Sequence, residues 1–200
     1  MNVIDKLSNE KWFYSDRNFN ALYPVSIQAL AKYHWTPVAI AMKAADYLAG
    51  NEKVSILDIG SGVGKFCLSA AYFKPNALYY GVEQRKSLVD HAETARSSLQ
   101  LENVSFIHGN FTQLDLGRFD HFYFYNAFYE NLNGTDKIDD SIDYSGELYN
   151  YYNRYLFRQL QQKPTGTRLC TLCSLECEVP PDFQVIRSDM DELLKFWIKV

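Results

Sequence analysis

Residues 54–64 read Val-Ser-Ile-Leu-Asp-Ile-Gly-Ser-Gly-Val-Gly. An aliphatic, β-branched run ends on three alternating glycines. Helical spacing then begins at once: Val63, Phe66, Cys67, Ala70 and Ala71 fall on one face until Pro75 and Asn76 stop the pattern. A strand that passes through a glycine turn into a helix is the first unit of a parallel α/β layer fold. The chain then repeats the alternation. Ala77–Val82, Val104–His108, Phe119–Tyr125 and Thr167–Ser174 read as strands. Arg85–Leu99, with Leu88, Ala92, Ala95 and Leu99 along one stripe, and Glu147–Gln162 read as helices.

The rhythm breaks near the end. Eight residues, Leu175 to Asp182, separate the fifth strand from the next strand-like run, and two of them are Pro180 and Pro181. A parallel crossover needs about ten to twelve residues or more. Phe183–Ile186 and Leu193–Val200, joined by the polar turn Ser188–Glu192, are therefore expected to form an antiparallel hairpin on the sheet edge. Ahead of the first strand, Pro24–Tyr33 is a short helix candidate. A longer one is expected from a Thr36 cap and Pro37 in its first turn to Leu48, ended by Gly50. This divides the chain into a helical extension, residues 1–35, placed as a cap over the mouth of the sheet, and one domain, residues 36–200.

Composition narrows the function classes. With 47% hydrophobic and 22% charged residues in a chain of 200, disorder is excluded and one core is expected. No apolar run approaches the roughly 18 residues of a membrane span. Met1–Phe13 has no apolar core of a secretion signal, so a cytoplasmic location is expected. Twenty basic against 24 acidic residues, net −4, with no Lys/Arg cluster, argue against nucleic acid as a partner. Cys67, Cys170, Cys173 and Cys177 read as reduced thiols. The run Cys170-x2-Cys173-x3-Cys177 lacks a fourth ligand and places Cys170 and Cys173 on opposite faces of a strand, and the four histidines show no metal spacing, so no metal site is expected.

The glycine turn is tested against three nucleotide patterns. A phosphate-cradling G-x4-G-K-[ST] loop would need glycine at 59 and a hydroxyl at 66, where the chain has Ile59 and Phe66. The dinucleotide pattern G-x-G-x-x-G would need glycine at 65, where Lys65 stands. What is present is Asp58-x-Gly60-x-Gly62-x-Gly64. A carboxylate so close repels a pyrophosphate but suits an amine-bearing ligand. Glu83 ends the second strand 25 residues after Asp58, where an acid can accept both ribose hydroxyls. Asn110 and Phe111 follow the third strand, and an amide and a ring there can meet the edge and face of adenine. The fourth strand ends in Tyr123-Phe124-Tyr125-Asn126-Ala127-Phe128-Tyr129-Glu130. An amide, Asn126, and two aromatic residues, Phe128 and Tyr129, thus stand at the carboxyl end of this strand. Beyond it, Asp136, Asp139, Asp140, Asp143 and Glu147 are interleaved with tyrosines; the run is either a solvated face or a surface for a basic substrate.

These motifs resemble the class I S-adenosylmethionine-dependent methyltransferases. The likeness rests on Val54–Phe66, Gly81-Val82-Glu83-Gln84, Gly109–Phe111 and the Asn126 region, and spans about residues 36–200. It implies a Rossmann-like seven-stranded, mostly parallel sheet in the order 3-2-1-4-5-7-6, which suits the terminal hairpin. The implied cofactor is S-adenosylmethionine, held by Asp58, Gly60, Ser61, Gly62, Gly64, Glu83, Gln84, Asn110 and Phe111. Asn126, Phe128 and Tyr129 take the acceptor side. The chain departs from the pattern at Asn110, where aspartate is frequent, and at Ala127 and Phe128, which replace the two prolines of the Asn-Pro-Pro-aromatic loop. Within the class, the glycine motif and Gly81–Lys86 look similar to the non-SET histone-lysine methyltransferases. The acceptor is expected to be an amine on a protein or small molecule, and the assembly a monomer or homodimer. A non-catalytic relative of the fold is an alternative. A nicotinamide-dependent oxidoreductase is a third, weakened by Lys65 and the terminal hairpin.

Overall fold

The computed structural model describes residues 9–200. The part of the N-terminal extension before residue 9 lies outside the described residues. Seven strands form one sheet: β1 (Ser55–Ile59), β2 (Leu78–Glu83), β3 (Val104–His108), β4 (His121–Tyr125), β5 (Arg168–Leu172), β6 (Phe183–Asp189) and β7 (Leu194–Lys199). Their order is β3-β2-β1-β4-β5-β7-β6, the one the resemblance implies. Strands β1 to β5 pair in parallel, while β7 pairs antiparallel to both β5 and β6.

The period of two along β1 builds both faces of the core. Ile56 packs in one cluster with α4 (Val38–Ala49), α5 (Lys65–Phe73) and the stripe Leu88, Ala95 and Leu99 of α6 (Lys86–Leu99). Leu57 and Ile59 face the other cluster, with Tyr152, Leu156 and Leu160 of α7 (Gly146–Gln161). The terminal strands are a hairpin, as their short connection requires. β6 runs three residues further than its apolar pattern indicated, and a bulge lies between Val185 and Arg187. The bulge sets the Arg187 guanidinium 3.8 Å from the Phe196 ring centroid.

Several expectations shift for physical reasons. Phe119 and Asp120 fall before β4, because the Asp120 carboxylate turns back to accept from the Ser55 N–H at 2.7 Å. The candidate helix Pro24–Tyr33 is two single turns, α2 (Val25–Gln28) and α3 (Ala31–His34). Thr36 does not cap the long helix. Its hydroxyl is engaged by the Tyr123 hydroxyl at 2.9 Å, Pro37 holds the cap position, and the Val38 N–H donates to the Asp16 carboxylate at 2.9 Å. Cys173 lies past the end of β5 with φ +55° and is exposed, so the two-face argument for Cys170 and Cys173 does not hold; all four thiols are free.

The N-terminal helices dock on the turn between β1 and α5. The Lys65 ammonium donates to Asp16 at 2.6 Å and to the side-chain amide oxygen of Asn20 at 2.9 Å, both on α1 (Asp16–Asn20), and sits over the rings of Phe19 and Trp35. The buried Tyr23 hydroxyl donates to the Val63 carbonyl at 2.9 Å. Lys65, read in sequence only as a departure from a dinucleotide pattern, is thus a structural anchor. No helix among the described residues is long and apolar enough to cross a membrane. Removing the Tyr23 hydroxyl leaves the Val63 carbonyl short of its donor. Tyr23→Phe is expected to cost about 1 kcal/mol in chemical denaturation and to speed amide exchange in α1; an unchanged midpoint contradicts this anchoring.

Candidate active site

The turn after β1 is held by the end of β2. The N–H groups of Gly60 and Ser61 both donate to the Val82 carbonyl at 3.0 Å, and the Gly62 N–H donates to Glu83 Oε2 at 3.1 Å. Gly60, Gly62 and Gly64 all have positive φ, at +75°, +53° and +81°. Their reasons differ. A Cβ on Gly60 would overlap the Ala127 methyl, and one on Gly64 would overlap the Phe106 ring, so these two allow close packing. A Cβ on Gly62 would meet nothing within 4 Å. That glycine faces open space.

Asp58 is buried at the foot of the turn, where the Cys67 thiol donates to it at 3.6 Å. Burial pushes its carboxyl up to about 8, against the small opposing effect of the thiol hydrogen bond and with a further rise from nearby Glu83. Ser61 is buried and its hydroxyl has no partner among the described residues. Glu83 is only 5% exposed; Oε1 accepts from the Arg85 N–H at 2.9 Å.

A chamber of about 270 Å³ opens beside the turn. Gly60, Gly62 and Glu83 floor it, and Asn126 and Tyr129 reach it from the end of β4. Tyr33, His34 and Trp35 close it from the N-terminal side, facing Glu130 and Asp136. Asn126 has φ +41°, a left-handed conformation that asparagine tolerates better than most residues. His34 Nδ1 lies 3.6 Å from Glu130 Oε1. Burial lowers its pKa, opposed by the Glu130 charge, so the ring is neutral near pH 7.

A second cleft, of about 40 Å³, adjoins Val82, Glu83, Gln84 and Phe111. Here Phe111 stacks on Phe128, with centroids 5.1 Å apart and planes at 21°. The Asn110 amide donates to Gln84 Oε1 at 3.1 Å and to the Tyr152 hydroxyl at 2.8 Å. Phe128 therefore lies in the cleft, buried against Phe111, Phe124 and Tyr152, whereas Tyr129 is half exposed at the chamber. Of the expected cofactor residues, Asp58, Ser61, Gly64 and Asn110 line neither space; Asp58 and Ser61 border a separate small one of about 30 Å³ with Thr36 and Lys65. Sequence reasoning missed His34, Arg85 and Glu130. Arg85 follows Glu83 by two residues and Glu130 ends the aromatic run after β4, so both stood inside quoted motifs. His34 carried no signal.

A family model described as a methyltransferase domain matches residues 51–192, most of the chain. The chain belongs to the class I S-adenosylmethionine-dependent methyltransferases. Curated relatives of this methyltransferase include the tRNA (guanine-N(7)-)-methyltransferase of Synechococcus sp. (strain JA-3-3Ab), 46% identical over 54 residues, which are 27% of this chain and 23% of that protein. That of Microcystis aeruginosa is 43% identical over 54 residues, 27% of this chain and 26% of the relative. The match spans about a quarter of these relatives' own length. Two of the solved structures that share the fold illustrate it. One is an RNA methyltransferase from Salinibacter ruber in complex with S-adenosyl-L-homocysteine, at TM-score 0.55 and 18% identity over 82% of this chain and 93% of that one. The other is the precorrin-6y C5,15-methyltransferase of Geobacter metallireducens GS-15, at TM-score 0.55 and 11% identity over 84% and 90%. The match reaches the class and not the narrower histone-lysine group. The expected exclusion of nucleic acid finds no support among relatives named for tRNA.

The methyltransferase's cofactor is S-adenosylmethionine. Around the turn the residues fit it: the open side of Gly62, the unpartnered Ser61 hydroxyl, and the carboxyls of Asp58 and Glu83. Beside Gln84, Asn110 and Phe111 the residue types fit a purine, but the cleft has room for a few waters and not for a ring system. Ile142 and Tyr144 help close it.

The raised carboxyl of Asp58 has a consequence for stability. In the unfolded chain it ionises near 4, and in the fold only near 8. Between those values the native state holds a proton that the unfolded state has lost, so stability falls as pH rises through this window. Thermal melts of the cofactor-free protein are expected to show that decline from about pH 4 to about pH 8, and Asp58→Asn to flatten it. A slope unaltered by the substitution contradicts the assignment.

Proposed function

We propose that this chain transfers a methyl group from S-adenosylmethionine to a nitrogen of a basic, amine-bearing acceptor, on a protein or a small molecule, seated in the 270 Å³ chamber. The cofactor, when bound, supplies an electrophilic sulfonium methyl. Gly60, Ser61 and Gly62 hold its amino-acid part, with Asp58 paired to the ammonium group. Glu83, beside Gln84, accepts from the ribose hydroxyls, and Asn110 with Phe111 takes the purine.

Asn126 offers its amide oxygen to an N–H of the acceptor and so orients the nitrogen lone pair for attack. Tyr129, with Tyr33, Trp35 and Tyr125, provides aromatic faces that tolerate cationic groups. His34, neutral at physiological pH, can take the proton released from the acceptor, with Glu130 stabilising the imidazolium so formed. Phe128 acts from beneath, buttressing Phe111. The helices before residue 36 serve as the cap that completes the chamber. One chain carries every group named here, so a monomer suffices.

The observation that carries the acceptor class is charge. The chamber is lined by three acids, Glu83, Glu130 and Asp136, against one arginine, Arg85, which pairs with Glu130 and Glu83, so its balance is acidic. An acidic aromatic chamber favours a basic acceptor over a phosphate-bearing one. A second reading, an RNA base as acceptor, is favoured by the names of the curated relatives. Transfer of a labelled methyl group to amine-bearing peptides and polyamines, run beside RNA, separates the two. Labelling of RNA alone overturns the amine reading. Glu83→Gln is expected to weaken S-adenosylhomocysteine binding by roughly tenfold or more, since a charged hydrogen-bond acceptor is lost. Unaltered affinity in calorimetry removes the ribose role.

A further inference from the structure

The segment from Glu130 to Tyr144 has an unusual attachment. No backbone group of residues 133–144 pairs with a backbone group elsewhere among the described residues. Its hydrogen bonds are mostly its own: the Thr135 hydroxyl to the Leu132 carbonyl at 2.8 Å, the Lys137 ammonium to the carbonyls of Glu130 and Leu132, and the Tyr144 hydroxyl to the Asp139 carbonyl at 2.6 Å. Besides the His34–Glu130 pair at 3.6 Å and the packing of Ile138 on the core, what ties it to the body is one buried side chain that makes several hydrogen bonds. The Arg85 guanidinium donates to Glu130, to the Tyr144 hydroxyl at 2.6 Å and to Asp139 at 3.2 Å, all on the segment. Its remaining arm lies 3.4 Å from Glu83, on the strand end. Burial alone would lower the Arg85 pKa, but Glu130, Glu83 and Tyr144 outweigh it and hold the guanidinium charged.

The place this network occupies matters. It covers Glu83, whose oxygens are otherwise taken by the Gly62 and Arg85 N–H groups, and it sets Ile142 and Tyr144 over the cleft that is left with about 40 Å³. The acid, the amide and the ring suited to a nucleoside are therefore present but covered by the chain itself. Resting on the cofactor reading above, we propose that residues 130–144 are a strap that closes the adenosine half of the cofactor site, and that Arg85 is its latch. Nucleoside binding requires the strap to move off Glu83 and Phe111. Because Glu130, Asp136 and Ile138 also line the acceptor chamber, the same movement reshapes the acceptor side. Cofactor entry and acceptor fit are thus coupled through one segment.

A covered site binds more weakly by the fraction of time it is open, and loosening the cover strengthens binding. Tyr144→Phe and Asp139→Asn each remove one partner of Arg85 and keep the side-chain shape. The full chain and both variants are titrated calorimetrically with S-adenosylhomocysteine, and hydroxyl-radical labelling of side chains is followed in the free and bound states. Each variant is expected to bind about three- to tenfold more tightly than the unaltered chain. Labelling of Ile142 rises in the free variants, and in the unaltered chain on adding the ligand, while labelling of the buried Phe122 in the free variants stays as in the parent. Affinities equal to or below the parent's, or a strap whose labelling ignores the ligand, overturn the strap. Failure of all three proteins to bind overturns the cofactor reading itself, and the strap with it.

Discussion

The organisation of this molecule depends on a turn tied to its neighbouring strand. Three successive N–H groups after β1 are taken up by the end of β2: two by the Val82 carbonyl and one by the Glu83 carboxylate. A turn so pinned needs positive φ at Gly60, Gly62 and Gly64, and only glycine reaches such angles freely. Because the tie includes Glu83, the acid that ends one strand and the loop that ends the next become a single unit. Everything placed nearby, from Asp58 below to Ala127 alongside, is positioned against it.

Two side chains extend this unit in opposite directions. Lys65, the first residue of α5, reaches back to Asp16 and Asn20 and brings in the N-terminal helices with Tyr33, His34 and Trp35. Arg85, just beyond β2, reaches across to Glu130, Asp139 and Tyr144. Each is a buried cation with acidic or amide partners, and each would be costly to leave unpaired. The chamber lies between the segments they hold.

How much of this was legible in the sequence follows from the range of the interactions. The alternation of β-branched runs with helical stripes reports local periodicity, and it located every strand to within three residues and α4 to α7 to within one or two. The short connection with Pro180 and Pro181 excluded a crossover and foretold the antiparallel end. The glycine spacing pointed to the right turn because positive φ is a local demand. What was not legible depends on distant contact. Thr36 looks like a cap until Tyr123, 87 residues away, takes its hydroxyl. Lys65 looks like a broken motif until α1 folds against it. Arg85, Glu130 and His34 belong to three separated segments, and no spacing rule joins them. Phe128 looked like part of the acceptor wall by its neighbours in sequence, yet it turns into the cleft beneath Phe111.

The outermost strand carries its own consequence. Among the described residues β6 has no strand on its outer side, and such an edge can recruit another chain's backbone. The bulge at Val185 and Arg187 kinks that border and folds a guanidinium over Phe196, while Asp182 and Asp189 flank it with charge. A bent, charged border is a poor template for a second ribbon, so growth of the sheet from copy to copy is discouraged by the same hairpin that completes the fold.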